Sequence, residues 1–226
     1  MTRPVRRRSV LAAAGTATVG ALAGLTSAPA APAPEEDGLM DSGTVDHVIL
    51  LDDAGRPVGT APRATVHTRD TPLHLGFSCY LFRPDGLVLV TRRALTKRTW
   101  PGVWTNSFCG HPRQGESSEQ AVQRHARHEL GLDVDAVRPL LPDFRYRAVD
   151  AGGVVENEVC PVLSAVTDRD PVPNPDEVME WRWVAMGELG ELARVAPWTL
   201  SPWMVEQLQE LRELGARPAP RPADAR

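Results

Sequence analysis

Gly110-His111-Pro112-Arg113-Gln114-Gly115-Glu116, followed after seven residues by Arg124-His125-Ala126-Arg127-His128-Glu129-Leu130-Gly131-Leu132, is the stretch on which the fold turns. Its spacing is a glycine, five residues, a glutamate, seven residues and an arginine. Ala121, Val122, Ala126 and Leu130 recur on one side of a 3.6-residue period, so residues 117–130 are expected to form a helix with one apolar face. Gly131 follows the last apolar position, where a helix end favours a residue that accepts positive φ. A glycine-bearing loop therefore feeds a helix that packs through one face and carries charge on the other.

On the N-terminal side, Val45 to Leu51 alternates like a strand, and Asp52-Asp53-Ala54-Gly55-Arg56-Pro57 supplies turn chemistry before a second short extended piece. His74 to Phe82 and Leu87 to Thr91 are apolar, strand-length runs joined by Arg83-Pro84-Asp85-Gly86, which predicts a hairpin. On the C-terminal side, Phe144 to Ala148, Val154 to Val166 and Val178 to Val184 predict strands, and residues 186–194 and 202–214 predict helices. Strands and helices mixed without a strict βαβ rhythm place the chain in the α+β class, as a sandwich around a mixed sheet.

With 226 residues the chain can build one full core, expected over residues 41–214. A net charge of −4 spread along the sequence excludes general nucleic-acid binding, which needs a concentrated basic face. Cys79, Cys109 and Cys160 form no CxxC pair and cannot all pair within the chain, so reduced thiols are expected. Residues 1–40 are a low-complexity extension in which Arg6-Arg7-Arg8-Ser9-Val10-Leu11 and the alanine-rich run after it look like a twin-arginine export signal. Residues 215–226 contain Arg217-Pro218-Ala219-Pro220-Arg221-Pro222, which cannot continue a helix and predicts a disordered tail.

Two triplets carry the chemistry. Glu156-Asn157-Glu158 places two carboxylates at i and i+2, and Cys109-Gly110-His111 places a thiol and an imidazole at the same spacing. Residues two apart on an extended segment share a face, so each triplet can aim both functional groups into one cavity. A thiol and a carboxylate beside metal-ligating side chains point to proton transfer.

The loop and helix quoted first resemble the Nudix box, which implies an α/β/α sandwich with a mixed β-sheet and a diphosphate ligand held through a divalent cation. Where that family carries several carboxylates, this chain has His125 and His128 and keeps only Glu129. Pyrophosphate hydrolysis needs several carboxylates to hold metal and activate water, so a diphosphohydrolase is the less favoured alternative. The further motifs Thr91-Arg92-Arg93-Ala94-Leu95, Trp100 to Ser107, Cys109 to Pro112, Phe144 to Arg147 and Glu156 to Cys160 occur in an order similar to the type 1 isopentenyl-diphosphate isomerases. The resemblance runs from about Asp46 to about Trp203.

That resemblance implies interconversion of isopentenyl and dimethylallyl diphosphate by protonation of one carbon and deprotonation of another, through a tertiary carbocation. An unactivated alkene is a poor base, so such a site needs a placed acid, a base, a cation stabiliser and exclusion of water. Cys109 and Glu158 match the acid/base pair, with the direction of each left open. Tyr146 is expected to hydrogen-bond Glu158, and Trp203 to offer a π face worth about 2 kcal/mol to the cation. His67, His74, His111, Glu156 and Glu158 match the ligands of a Mn²⁺ or Mg²⁺ site, one that zinc can also occupy. Glu129 is expected to bind a second ion, Mg²⁺, that bridges to the diphosphate.

Arg93 and Lys97, with Arg63, match the anion clamp. His125 stands where a phosphate-binding arginine is expected, Arg124 is a partial substitute for it, and His125 and His128 are expected to be exposed. Cys79 and Cys160 read as buried structural thiols. The resemblance implies an isoprenoid diphosphate as the only partner, without nucleic acid or membrane, in a monomer or weak homodimer. A cytoplasmic location follows from that substrate, with twin-arginine export as the alternative.

Overall fold

The computed structural model describes residues 46–215, so the N-terminal extension with its arginine motif and the tail beyond Gly215 lie outside the described residues. None of the described helices is long and apolar enough to cross a membrane.

One sheet contains β1 (His47–Leu51), β2 (Pro57–Pro62), β3 (His74–Leu75), β9 (Arg145–Val149) and β10 (Val155–Val159), in the order β2-β1-β3-β10-β9. The larger sheet contains β4 (Phe77–Phe82), β5 (Val88–Arg93), β8 (Asp135–Leu141), β11 (Val162–Val166) and β12 (Val178–Val184), in the order β12-β5-β4-β11-β8. The short β6 (Trp104–Thr105) and β7 (Phe108–Gly110) pair with β5 and β4. Both sheets mix parallel and antiparallel pairs.

Two runs expected as single strands each divide between the sheets. His74 to Phe82 breaks at Gly76 into β3 and β4, and Val154 to Val166 breaks at Cys160-Pro161 into β10 and β11. The breaks are adjacent. Gly76 N–H donates to Val159 C=O at 2.9 Å and Ser78 N–H to Pro161 C=O at 3.0 Å, so the parallel pair turns the corner together. Pro161 has no N–H for a continued ladder, and Gly76 has no Cβ to fill the bend. This corner sets the site residues of β10 beside those of β3.

All six residues of β4 are buried, and strand alternation divides them between two cores. Phe77, Cys79 and Leu81 pack with Ala121, Val122, Ala126 and Leu130 of the box helix. Tyr80 and Phe82 pack on the other side with Trp203, Met204 and Leu208 of α4 (Pro202–Glu213) and Leu189 of α3 (Met186–Val195). Helices therefore cover both faces of the larger sheet, the expected α/β/α sandwich.

The four-residue α1 (Arg63–Val66) leads from β2 toward His67. The box helix α2 (Ser118–His125) starts on a reciprocal cap in which Ser117 Oγ accepts from Gln120 N–H and the Gln120 side chain accepts from Ser117 N–H. From Ala126 to Leu130 it continues as a π turn, not the α-helix expected, and Gly131 closes it in the left-handed conformation at φ 64°. Such turns widen a helix by one residue and recur at functional sites. Here the turn carries Glu129, which is only 7% exposed.

Candidate active site

A cavity of about 610 Å³ opens where β7, β10 and the box helix meet. Cys109, Glu158, Tyr146 and Trp203 line it, as do His67, His111, Glu156 and Glu129 and the cations Arg63, Arg93 and Lys97. Its walls therefore bring together nearly every residue singled out by sequence, and His74 joins them through the cluster at its base.

That cluster is built by backbone register. Glu158 on β10 is the parallel partner of His74 on β3, while His67 follows α1 and His111 follows β7. The three imidazole centroids are 5.1, 5.2 and 5.6 Å apart. Ligand atoms of His67, His74, His111 and Glu158 all lie within 4.8 Å of one another. Glu156, the fifth expected ligand, stands at the edge of this group with Oε2 3.1 Å from His67 Nε2. Its other oxygen accepts from Thr99 Oγ1 at 2.6 Å.

These side chains fit a metal ion. His67 Nε2, His74 Nε2 and Glu156 Oε2 are buried without a hydrogen-bond partner, a costly state for polar atoms inside a protein. His67 Nε2 and Glu156 Oε2 are 3.1 Å apart but are not aligned to hydrogen-bond, which leaves both atoms free to serve as metal ligands. His74 Nδ1 lies 2.9 Å from Pro72 C=O, to which it donates, so Nε2 faces inward, 3.3 Å from Glu158 Oε1. Burial lowers the pKa of His111 and favours the neutral ligand form. For Glu158, burial opposes ionisation, but contacts with His111 and His74 hold its carboxyl well below the ordinary value.

Gly76 protects this geometry. A Cβ there would lie 2.2 Å from Glu158 Oε2 and 2.7 Å from its carboxyl carbon. Gly76→Ala is therefore expected to push Glu158 out of line and weaken metal binding about 10- to 100-fold. Metal titration of the folded variant checks this, and unchanged affinity would contradict it.

Cys109 sits on β7 opposite Ser78 of β4. Its Sγ is 3.3 Å from Ser78 Oγ and donates to Asn106 Oδ1 at 3.3 Å. Burial pushes the thiol up to about 11, so it is neutral at physiological pH. Tyr146 is the antiparallel partner of Glu158, and burial, reinforced by the nearby carboxylates, raises its phenol well above the ordinary value. The expected Tyr146–Glu158 hydrogen bond is not formed among the described residues. Glu158 Oε1 instead lies 3.1 Å from His111 Nε2 and 3.3 Å from His74 Nε2. Cys79 and Cys160 are free and buried, as expected.

The cationic rim is held by resident partners. Arg93 donates twice to Thr99 C=O, at 2.8 and 3.1 Å, and its guanidinium stands 5.5 Å over the Trp203 ring. Arg63 pairs with Asp46 at 2.6 Å. Lys97 pairs with Glu177, a cavity residue that the motifs do not single out. Burial raises the Glu177 pKa, but Lys97 and His128 outweigh it and hold the carboxyl below its ordinary value.

One expectation about the box helix needs correction. His125 is not exposed: its Nδ1 lies 3.0 Å from Glu129 Oε1 and its ring packs edge-on against Phe77. The i, i+4 spacing puts both residues on one helical face, and Gly110 leaves room for the ring, since a Cβ there would come within 2.3 Å of it. Arg124 lines the cavity, where Glu116 accepts from it at 2.7 and 2.8 Å and His111 C=O at 3.0 Å. His128 is exposed, as expected.

Residues 72–209 match the NUDIX domain family. Among solved structures, the chain resembles the DR0079 protein from Deinococcus radiodurans, with TM-score 0.57 and 20% identity over 73% of this chain and 98% of that one. It also resembles a MutT protein from Methanosarcina mazei, with TM-score 0.50 and 18% identity over 64% and 96% of the two chains. At such identities these matches establish the fold alone. Three curated relatives are far more similar, and each is named isopentenyl-diphosphate Delta-isomerase. That of Agromyces mediolanus is 52% identical over 89% of this chain and 94% of its own. That of Kocuria rhizophila is 54% identical over 77% and 98%, and that of Frankia alni 59% identical over 72% and 84%. With a NUDIX domain over most of its length and more than half its aligned residues shared with these relatives, the chain belongs to the isopentenyl-diphosphate Delta-isomerase family.

Proposed function

We propose that this chain interconverts isopentenyl and dimethylallyl diphosphate. The observation that carries the reading is one cavity shared by a neutral thiol, an ionised carboxylate, a His/Glu cluster and a cationic rim. The isopentenyl substrate has an alkene at one end and a diphosphate at the other, and it needs both halves of this lining.

In our reading, Arg93, Lys97 and Arg63 hold the diphosphate, with Lys97 and Arg63 exchanging their carboxylate partners for phosphate oxygens. Glu129 would serve as ligand to a Mg²⁺ ion that accompanies the diphosphate. His67, His74, His111, Glu156 and Glu158 would hold Mn²⁺ or Mg²⁺, in a donor set that also suits zinc. A divalent ion held there would supply positive charge beside Glu156 and Glu158.

Cys109 then gives its S–H proton to the terminal alkene carbon. The π pair forms the new C–H bond, sulfur keeps the S–H pair, and the adjacent carbon becomes a tertiary cation. Trp203 and Tyr146 present aromatic faces beside it and exclude water. Glu158 removes a proton from the carbon nearer the diphosphate, and that C–H pair becomes the new double bond. Exchange with solvent returns the thiol and the carboxylate to their starting states. A diphosphohydrolase reading is not favoured, because Glu129 is the only one of the expected helix carboxylates that the box retains. The assay for this reading is conversion of isopentenyl diphosphate by the purified, metal-loaded protein, with phosphate release scored in the same tube. The substrate supports a cytoplasmic location, which fractionation tests: a shortened protein outside the membrane would overturn it.

A further inference from the structure

Asn106 lies behind the cavity wall and touches none of the expected ligands, yet two reactive groups end on one of its atoms. It is completely buried. Its Nδ2 donates to Cys79 C=O at 3.1 Å and to Phe108 C=O at 2.8 Å. Carbonyls only accept, so the amide cannot be flipped without facing oxygen to oxygen at both positions. Oδ1 is therefore fixed toward the cavity side. There it accepts from Thr105 Oγ1 at 2.9 Å, from Trp203 Nε1 at 3.0 Å and from Cys109 Sγ at 3.3 Å. Thr105 is held in turn by Ser201, whose Oγ is 2.8 Å from the Thr105 hydroxyl.

A second buried chain reaches the same sulfur with the opposite polarity. Tyr80 Oη donates to Gln207 Oε1 at 3.1 Å, and Gln207 Nε2 donates to Ser78 Oγ at 2.9 Å. Ser78 Oγ is thus an acceptor toward Gln207, and its own proton is left to point at sulfur, with Cys109 Sγ at 3.3 Å and Cys160 Sγ at 3.5 Å. Cys109 is bracketed by an acceptor on one side and a hydroxyl on the other. Sulfur hydrogen bonds are weak, so a thiol between ordinary neighbours would sample several S–H rotamers.

We propose that Asn106 is a positioning residue that sets the Cys109 S–H rotamer and the Trp203 ring plane together, through its single amide oxygen. The inference rests on the proton-transfer reading given above. Because Cys109 and Trp203 share one anchor, the proton source and the cation-facing ring keep a fixed relation as substrate enters. When sulfur gives up its proton, the Ser78 hydroxyl is the donor left facing it, and Asn106 Oδ1 retains Trp203 and Thr105. Asn106 makes no direct contact with the diphosphate clamp or the metal cluster and reaches the clamp only through Trp203, over which Arg93 lies, so its loss falls on turnover more than on binding.

Asn106→Ala in the metal-loaded, full-length chain tests this. The expected result is a fall in kcat of about 10²-fold, the size of effect that misplacing a reacting group produces, with a much smaller change in KM for isopentenyl diphosphate and metal content unchanged. In the resting enzyme, the Raman S–H stretch of Cys109, isolated by difference against Cys109→Ala, should move to higher frequency as the acceptor is lost. If the alanine variant does not fold, Trp203→Phe supplies the second arm. It removes one of three competing donors from Oδ1, so the S–H stretch should move to lower frequency. An unmoved stretch in the folded variant tested, or kcat lost in step with metal content, would overturn the proposal. The stretch is read without substrate, so it stands or falls separately from the isomerase reading.

Discussion

Cys109→Ala is expected to lower isopentenyl diphosphate turnover by about 10²- to 10⁴-fold, the range that a positioned acid or base contributes, while leaving the metal site and the fold in place. The side chain is small, and its contacts are two weak sulfur hydrogen bonds, to Ser78 and Asn106. Neither is part of the His/Glu cluster, so removal of sulfur isolates the chemical step. KM and metal content should be near those of the parent chain. Turnover within a few-fold of the parent would remove Cys109 from the mechanism. The thiol also makes a reactivity prediction. Burial pushes it to about 11, so only a small fraction is thiolate at pH 8, and alkylation there should be slower than for an exposed cysteine. Rapid modification at pH 8 would show that the resting group is not the neutral thiol.

Glu158→Gln is expected to be the more damaging change, because one residue serves both metal and proton transfer in this account. Glu158 Oε1 faces His111 Nε2 at 3.1 Å and His74 Nε2 at 3.3 Å inside a buried cluster. Glutamine keeps the volume but removes the charge that offsets a divalent ion, and its amide is no base. Metal content should therefore fall, and activity should drop by at least about 10²- to 10⁴-fold without recovery at high metal concentration. Recovery by excess metal would restrict Glu158 to a ligand role. Full activity in this variant would contradict both assignments.

The residue types needed for this chemistry were legible in sequence, because each stands in a short motif: Cys109 and His111 two apart, Glu156 and Glu158 two apart, and Glu129 in the box helix. The α+β class and most strands were legible from apolar periodicity. What sequence alone did not give are the properties set by long-range packing. Periodicity continues unbroken through Gly76 and through Cys160-Pro161, so it cannot mark where the paired strands pass from one sheet to the other. His125 looks like an exposed helix residue until β7 brings Gly110 beneath its ring. Lys97 and Glu177 are 80 residues apart, and no local pattern announces that pair. Asn106 lay inside a quoted motif, Trp100 to Ser107, but its importance depends on Trp203, 97 positions along the chain.

The most direct test is to follow isopentenyl diphosphate by NMR in D₂O with the purified, metal-loaded protein. The expected product is dimethylallyl diphosphate carrying deuterium in the methyl group formed from the terminal alkene carbon, with no phosphate or diphosphate released. Release of phosphate without an isomer, or isomer formed with no deuterium from solvent at any stage, would contradict it.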